Sequence, residues 1–397
     1  MSHSSSTGKQ ALLARHAWLW LVPLSTLVGF LLLEGALRLF PSLMPIEAHQ
    51  RLLYLTEEGG LKSMADPYLG FLYPANSSSE FVSLEFGVVV EATDEHGFRN
   101  PSPWPEHAEI VIVGDSMAYG YGVASQESWP RLLDDALPVS RVITLGLPGT
   151  VPQQYTRYFE KFGARLRPRL LIYMVFPGND IKGTVEFDRW IAAGAPGSFD
   201  HWRYFEGHVP VRGQSVLDRS ALVMSLRSLT KALRNSSSWK FIELTGGGRL
   251  RLAPQLYRQS IAMNRPGTPG FEAVVKATRE AREIAHALGS QFVVVLAPTK
   301  ETVYLPLLRE PFPGLTEPLG SVLTNDEGVA VIDLSEPLRK RAARGEQLFF
   351  EVDGHPNALG NRVIAEVVIQ YLRTHAQALG LDDWSQAEPR PDLERAR

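Results

Sequence analysis

Four short blocks carry residues that can do chemistry together. Ser116 stands in VGDSMAYG, Gly149 in LGLPGTVP, Asn179 in FPGNDIKG, and Asp353 with His355 in VDGHPNALG. A neutral imidazole is the natural base for a serine hydroxyl. A carboxylate beside it fixes the tautomer and stabilises the imidazolium that forms. An asparagine amide can donate to a developing oxyanion, and a glycine lets a backbone N–H approach a ligand closely. Read together, these groups describe a serine hydroxyl with His355 as base and Asp353 as its orienting acid, and with Gly149 and Asn179 as candidate donors to a ligand oxygen. Each block alone has a plainer reading. A serine after a strand is usually an N-cap, Gly149 and Asn179 suit turns, and His355 is one of 10 histidines. The combination favours the chemistry.

Other chemistries find less support. Asp180 beside Asn179 has the right oxygens for a metal, yet no companion carboxylate cluster and no HExxH or DxDxDG pattern accompanies it. Cysteine is absent, which removes cysteine nucleophiles, disulfides and thiolate zinc sites at once. No metal and no cofactor is expected.

The elements that must position these blocks are legible as alternation. EIVIV (109–113), RVITL (141–145), RLLIYMV (169–175), QFVVVLA (291–297) and VAVID (329–333) read as short buried strands. ESWPRLLDDAL (127–137), PQQYTRYFEKF (152–162), FEAVVKATREAREIAHAL (271–288) and residues 357–379 have helical spacing. In the third of these helices Val274, Val275, Ile284, Ala285 and Leu288 share a face, and Gly289 supplies a stop. In the last, Val363, Ile364, Val367, Val368 and Leu372 form the apolar stripe. Strands alternating with helices predict a three-layer α/β/α domain with a five-stranded parallel sheet. In such sheets ligands bind beyond the carboxyl ends of the strands, where the Ser116, Gly149 and Asn179 blocks fall.

Around that domain, the 397 residues divide as follows. Residues 1–16 carry Lys9, Arg15 and His16 and no acid, and precede a transmembrane anchor at 17–40. Trp18 and Trp20 suit one membrane interface; Glu34 and Arg38, four apart, can pair at the other. The basic residues put the N-terminus in the cytoplasm and the rest across the membrane. A cleaved signal peptide is the rival, but its apolar core is shorter, and LRLFPSLMP offers no A-x-A-like site. A buried soluble helix is the third reading. Residues 41–105 form a β-rich lead-in with strands within 81–93. The catalytic domain occupies 106–379, with an insertion at 182–269 holding a hairpin around Gly207 (202–214) and a helix over 219–235. Residues 380–397 are expected to be a disordered tail. Apolar residues at 44%, charged residues at 21% and a net charge of -3 exclude a collagenous or largely disordered chain and give no basic field for nucleic acid.

The ordered set of blocks resembles the SGNH (GDSL-like) hydrolases, of the membrane-anchored bacterial type. Ser116 lies in the GDS block, Gly149 in the second, Asn179 in GND and His355 in the last. The first three are each separated by roughly 30 residues, one β-α step. The likeness covers roughly residues 94–375, and DPYLGFLYP (66–74), DEHGFRN (94–100) and APTKETVY (297–304) resemble the same anchored members. Two departures stand out. Met117 replaces the common leucine after GDS. The family's acid usually lies three residues before the histidine, which is Val352 here, whereas Asp353 lies two before. The resemblance implies a flavodoxin-like SGNH fold and an acyl-serine mechanism, with the N–H groups of Ser116 and Gly149 and the amide of Asn179 as oxyanion donors. The product is then set by the acceptor. A serine esterase acting on an ester-bearing envelope carbohydrate or lipid is the first expectation, and an O-acyltransferase of an envelope polysaccharide the second. A catalytically silent envelope scaffold is the third. The expected partners are the lipid bilayer, through the N-terminal helix, and the ester-bearing glycan or lipid substrate.

Overall fold

A computed structural model describes residues 6–46, 48, 49, 52, 60–136, 141–205, 216–235 and 239–381. The chain divides into two compact units: Met1–Gly59 with Arg212–Ser236, and Gly60–Val211 with Ser237–Arg397. Most of the expected hairpin (206–214) and residues 382–397 of the expected tail lie outside the described residues, but the first two tail residues are ordered by packing: Arg169 donates to the Gly380 carbonyl and Leu381 is buried in the core. The start of that hairpin differs from expectation, because Trp202–Phe205 closes a helix. Four of the seven residues in that helix are aromatic, and Phe199 is fully buried, so packing outweighs the β-propensity of the segment.

The smaller unit is built on one long helix, α1 (Ser6–Leu39), with Pro23 inside it. Its stretch Trp20–Leu39 is long and apolar enough to cross a membrane, and none of that stretch is buried in protein. Glu34 and Arg38 pair at 2.7 Å, as their spacing allows. A second helix, Ala221–Asn235, packs on α1. Ala221 and Met224 are buried there with Met44, Ala48 and Leu52, and Leu37 closes the small core.

The larger unit opens with two antiparallel hairpins, β1 (Met64–Asp66) with β2 (Gly70–Leu72), and β3 (Ser78–Ser83) with β4 (Gly87–Ala92). The second is half-buried by alternation: Phe81, Ser83, Val89 and Glu91 face inward, and Val82, Val88 and Val90 face out. Then the α/β rhythm begins. β5 (Ile110–Val113) leads into α2 (Ser116–Tyr119) and α3 (Trp129–Ala136), and β6 (Val142–Thr144) into α4 (Pro152–Tyr158). β7 (Leu170–Val175) is followed by α5 (Asp180–Ala192) and α6 (Phe199–Phe205). A short hairpin, β8 (Lys240–Glu243) with β9 (Arg249–Leu252), precedes α7 (Pro269–Ala287) and β10 (Gln291–Leu296). The chain closes with α8 (Lys300–Tyr304), α9 (Thr316–Asn325), β11 (Ala330–Asp333), α10 (Ser335–Ala342) and α11 (Ala358–Thr374).

Five strands form one parallel sheet in the order β11-β10-β7-β5-β6. Successive side chains point to opposite faces, so each strand feeds two cores. Ile110, Ile112, Ile172, Met174, Val293 and Val295 face the layer of α3, α10 and α11. Val111, Val113, Leu171, Tyr173, Val175, Val294 and Leu296 face α4, α5, α7 and α9. β7, at the centre, is fully buried along its whole length. That is why the strands read as unbroken apolar runs. A truncation such as Met174→Ala there should cost about 2–5 kcal/mol. Leu288 departs from the expected stripe and is exposed. It is the C-cap of α7, and Gly289 (φ +78°) turns the chain away from the core just beyond it.

Candidate active site

The strand order reverses between β5 and β7. β6 lies on one side of β5, while β7, β10 and β11 lie on the other. Loops on either side of such a reversal part, leaving a crevice at the carboxyl ends of the strands. Ser116 follows β5 and Asn179 follows β7, so the two residues flank it.

Ser116 opens the four-residue helix α2, whose N-cap is Asp115. Asp115 Oδ1 accepts the Met117 N–H at 2.9 Å, and its Oδ2 accepts Asn179 Nδ2 at 3.0 Å. One buried carboxylate therefore both shapes the serine turn and aims the asparagine amide, leaving that amide's second hydrogen for another acceptor. Burial pushes the Asp115 carboxyl above its usual range, against the pull of those two hydrogen bonds. Arg99 holds the far end of the turn, donating to the carbonyls of Tyr119 (3.3 Å), Gly120 (2.9 Å) and Val123 (2.7 Å). Ser116 is left 6% exposed.

Asp180 is fully engaged. Its oxygens accept the Tyr155 hydroxyl and the Phe176 N–H, each at 2.7 Å, and so fix the turn that carries Asn179. Burial, with Asp115 nearby, holds its carboxyl well above the ordinary value. Among the described residues no group of three or more histidines, aspartates or glutamates could hold a metal ion.

Gly149 sits in the loop after β6 with φ +79°, a left-handed conformation that other residues adopt only under strain. The Leu147 N–H donates to the Gly114 carbonyl at 3.3 Å, and Thr150 Oγ1 donates to the Leu147 carbonyl at 2.6 Å. These bonds tie the glycine loop to the residue just before Asp115. Arg203, from α6, donates to the Gly149 carbonyl at 2.9 Å and to Glu186 at 2.6 Å. With its carbonyl so engaged, the Gly149–Thr150 peptide is held on the side away from the Gly149 N–H.

His355 arrives from a loop rather than a strand end. Its Nε2 lies 2.7 Å from Ser116 Oγ and its Nδ1 2.5 Å from Asp353 Oδ1. The same Asp353 oxygen accepts the His355 backbone N–H at 2.8 Å. This tight Asx-type turn is how an acid two residues away reaches the ring. The loop is closed at its base by the Phe350 N–H bonding the His355 carbonyl at 3.1 Å, and the Tyr121 ring packs 4.7 Å from the imidazole. Burial opposes the imidazolium, but the Asp353 charge and hydrogen bond outweigh it, and His355 titrates above the usual histidine range. Burial likewise works to raise Asp353, yet His355 outweighs it and holds the carboxyl below its usual range.

Two residues that the sequence motifs give no role in the site grip this loop. Lys300, at the start of α8 and 2% exposed, directs its ammonium at four consecutive carbonyls. The distances are 3.5 Å to Phe350, 3.2 Å to Glu351, 2.8 Å to Val352 and 2.9 Å to Asp353. Glu85, in the turn between β3 and β4, accepts the N–H groups of Val352 at 2.6 Å and Asp353 at 3.0 Å. Beside it, Phe86 packs on Phe350 with centroids 4.4 Å apart. Burial lowers Lys300 to about 8 despite the nearby carboxylates of Glu301, Asp353 and Glu85. Burial raises Glu85. The APTKETVY stretch holds the only sequence signal for Lys300, and nothing in FVSLEF (81–86) marks Glu85.

The arrangement joins a hydroxyl, an imidazole and a carboxylate in one hydrogen-bonded chain, with an anchored amide and a left-handed glycine on adjoining loops. Such a set can activate a serine and receive charge on an oxygen. Its setting has counterparts among known proteins. The GDSL-like lipase/acylhydrolase family matches residues 112–363, well over half the chain. The chain belongs to that family and is a hydrolase of ester bonds. Similar solved structures include a lipolytic G-D-S-L family protein from Veillonella parvula (14% identity, 66% of this chain and 96% of that one covered, TM-score 0.34). They also include the acetyl xylan esterase AlAXEase (13%, 66% and 99%, TM-score 0.36) and the psychrotrophic esterase EstA from Pseudoalteromonas sp. (11%, 68% and 98%, TM-score 0.34). No curated protein matches the chain.

Proposed function

We propose that the chain is a membrane-anchored serine esterase that cleaves an ester on an envelope carbohydrate or lipid through an acyl-serine intermediate. The observation that carries this reading is the Ser116–His355–Asp353 chain, 2.7 Å and 2.5 Å between successive partners. Ser116 Oγ attacks the ester carbonyl while His355 Nε2 takes its proton. Asp353 holds the Nδ1 hydrogen and stabilises the imidazolium. Negative charge develops on the carbonyl oxygen, where the N–H groups of Ser116 and Gly149 and the free hydrogen of Asn179 Nδ2 receive it. His355 then gives its proton to the departing alkoxide. In the second half, His355 deprotonates water, which releases the acyl group and restores Ser116.

The anchor reading is supported by Trp20–Leu39, and the basic residues before it favour, by the positive-inside rule, a larger unit on the extracytoplasmic side of the cytoplasmic membrane. Product analysis tests the function. The full chain in liposomes is given acetylated glycans and short-chain acyl lipids, with and without an unacetylated glycan acceptor. Release of free acid, abolished by Ser116→Ala, is the expected result. Acyl groups appearing on the acceptor hydroxyls in place of free acid would make the chain an O-acyltransferase. Full turnover by Ser116→Ala would refute the mechanism.

A further inference from the structure

We propose that the helix Ala221–Asn235 is a second membrane contact, lying in the boundary between lipid headgroups and acyl chains beside α1. The proposal rests on the reading of α1 as a membrane anchor.

The helix carries leucines at 222, 226, 229 and 233. Steps of four, three and four keep them in one narrow stripe. That stripe is not the side facing protein: Ala221 and Met224 are the residues buried with Met44, Ala48 and Leu52. Leu226, Leu229 and Leu233 are instead 52%, 49% and 76% exposed. Leucines grouped this way on a surface mark a contact site. The rest of the helix contributes Arg227, Lys231 and Arg234 and no acid. A helix with a leucine stripe and only basic charge matches the boundary of a bilayer, with extra attraction to anionic lipid.

Its attachment to α1 selects the bilayer over other occupants. Glu34, in the second-last turn of the apolar stretch, caps this helix from outside: it accepts the N–H groups of Ala221 at 3.0 Å and Leu222 at 2.9 Å, and the Ser220 hydroxyl at 2.7 Å. Arg38, one turn on, donates to the Arg219 carbonyl at 2.7 Å and to Glu34. The first turn of the helix is thereby pinned to the end of the membrane-spanning stretch. Leu31, Leu32, Leu33 and Leu39 of α1 are themselves exposed, so both helices present bare leucine side chains. This also gives Glu34 and Arg38 a task beyond pairing at an interface.

The chain has no cysteine, so a single introduced thiol reports alone. Full-length Leu226→Cys, Leu229→Cys and Leu233→Cys are each labelled with an environment-sensitive fluorophore in phosphatidylethanolamine–phosphatidylglycerol liposomes. Arg227→Cys serves as the polar-side comparison and Val28→Cys as the standard within the span. Quenching by shallow nitroxide lipids is compared with quenching by aqueous iodide. The expected result is lipid quenching exceeding iodide quenching at 226, 229 and 233, the reverse order at 227, and deep lipid quenching at 28. Iodide quenching at the leucine positions equal to that at 227, with 28 still lipid-quenched, would overturn the second contact and leave the anchor standing. Protection of the leucine positions from both quenchers would mean that protein covers the stripe, and would also overturn it. Iodide reaching 28 would remove the anchor itself and the proposal with it.

Discussion

The two halves of the site are positioned by different physics. Ser116, Gly149 and Asn179 stand on turns directly after β5, β6 and β7, so the parallel sheet itself delivers them to one crevice. The short bonds around Asp115, Asp180 and Arg99 only refine that placement. Asp353 and His355 have no such support. Their loop lies between α10 and α11 and is held by side chains remote in sequence: Glu85 from the lead-in hairpin, Lys300 from the turn after β10, and the Phe86–Phe350 contact. One half of the site is fixed by topology and the other by a clamp. Damage to the clamp should misplace the base while leaving the nucleophile turn intact.

The widest effect expected does not separate the halves. Ser116→Ala and His355→Ala should each cost on the order of 10⁶ in kcat, and the double variant little more, because the two act as one unit. Steady-state kinetics on a soluble ester would show this, and additive losses would break the shared role. Asp353→Asn comes next, with a loss of up to roughly 10⁴ in kcat. It should also move the pH profile. The Asp353 carboxylate raises His355 against burial, so the acid limb of kcat/KM should lie above the ordinary histidine value of about 6.5. Without that charge, burial prevails and the limb should move below it. An unmoved limb would mean that another group orients His355.

Asn179→Ala tests the topological half. It should lower kcat by about 10²–10³ with a smaller change in KM, as loss of one oxyanion donor does. A change confined to KM would make Asn179 a substrate-binding residue. Lys300→Met tests the clamp. Misplacement of the base by about 1 Å should cost about 10²-fold in kcat. Because Lys300 is lowered to about 8, the unaltered enzyme should lose activity as pH rises through that value and one donor leaves the clamp. That alkaline decline should vanish in Lys300→Met. Glu85→Gln keeps one acceptor and should cost only about tenfold. If both clamp variants kept full activity and the same pH profile, the loop would be self-supporting.

The difference between the halves is also why they were unequally legible in the sequence. β5, β7 and β10 are buried on both faces and announce themselves as apolar runs, so the sheet and the Ser116, Gly149 and Asn179 turns can be read from chain order. Asp353 and His355 are recognisable as a motif, and the glycine between them hints at a turn. Nothing local states that one Asp353 oxygen serves both the backbone and the ring of His355. Glu85 and Lys300 are harder still. Each reads as an ordinary charged residue, and its role exists only once residues far apart in the chain meet. The lead-in reads as β-rich from its sequence, but the part of its second hairpin in holding the Asp353–His355 loop depends on that same long-range contact. Likewise, Glu34 and Arg38 were legible as a pair, while their hold on residues 219–222 was not.

The most direct test of the central claim is the rate at which a fluorophosphonate probe labels the full-length protein, with the adduct mapped by mass spectrometry. A serine activated by His355 and Asp353 should react rapidly and carry the label at Ser116, and His355→Ala should remove nearly all of that reactivity. Labelling at another serine, or labelling of Ser116 at an unchanged rate in His355→Ala, would contradict the account.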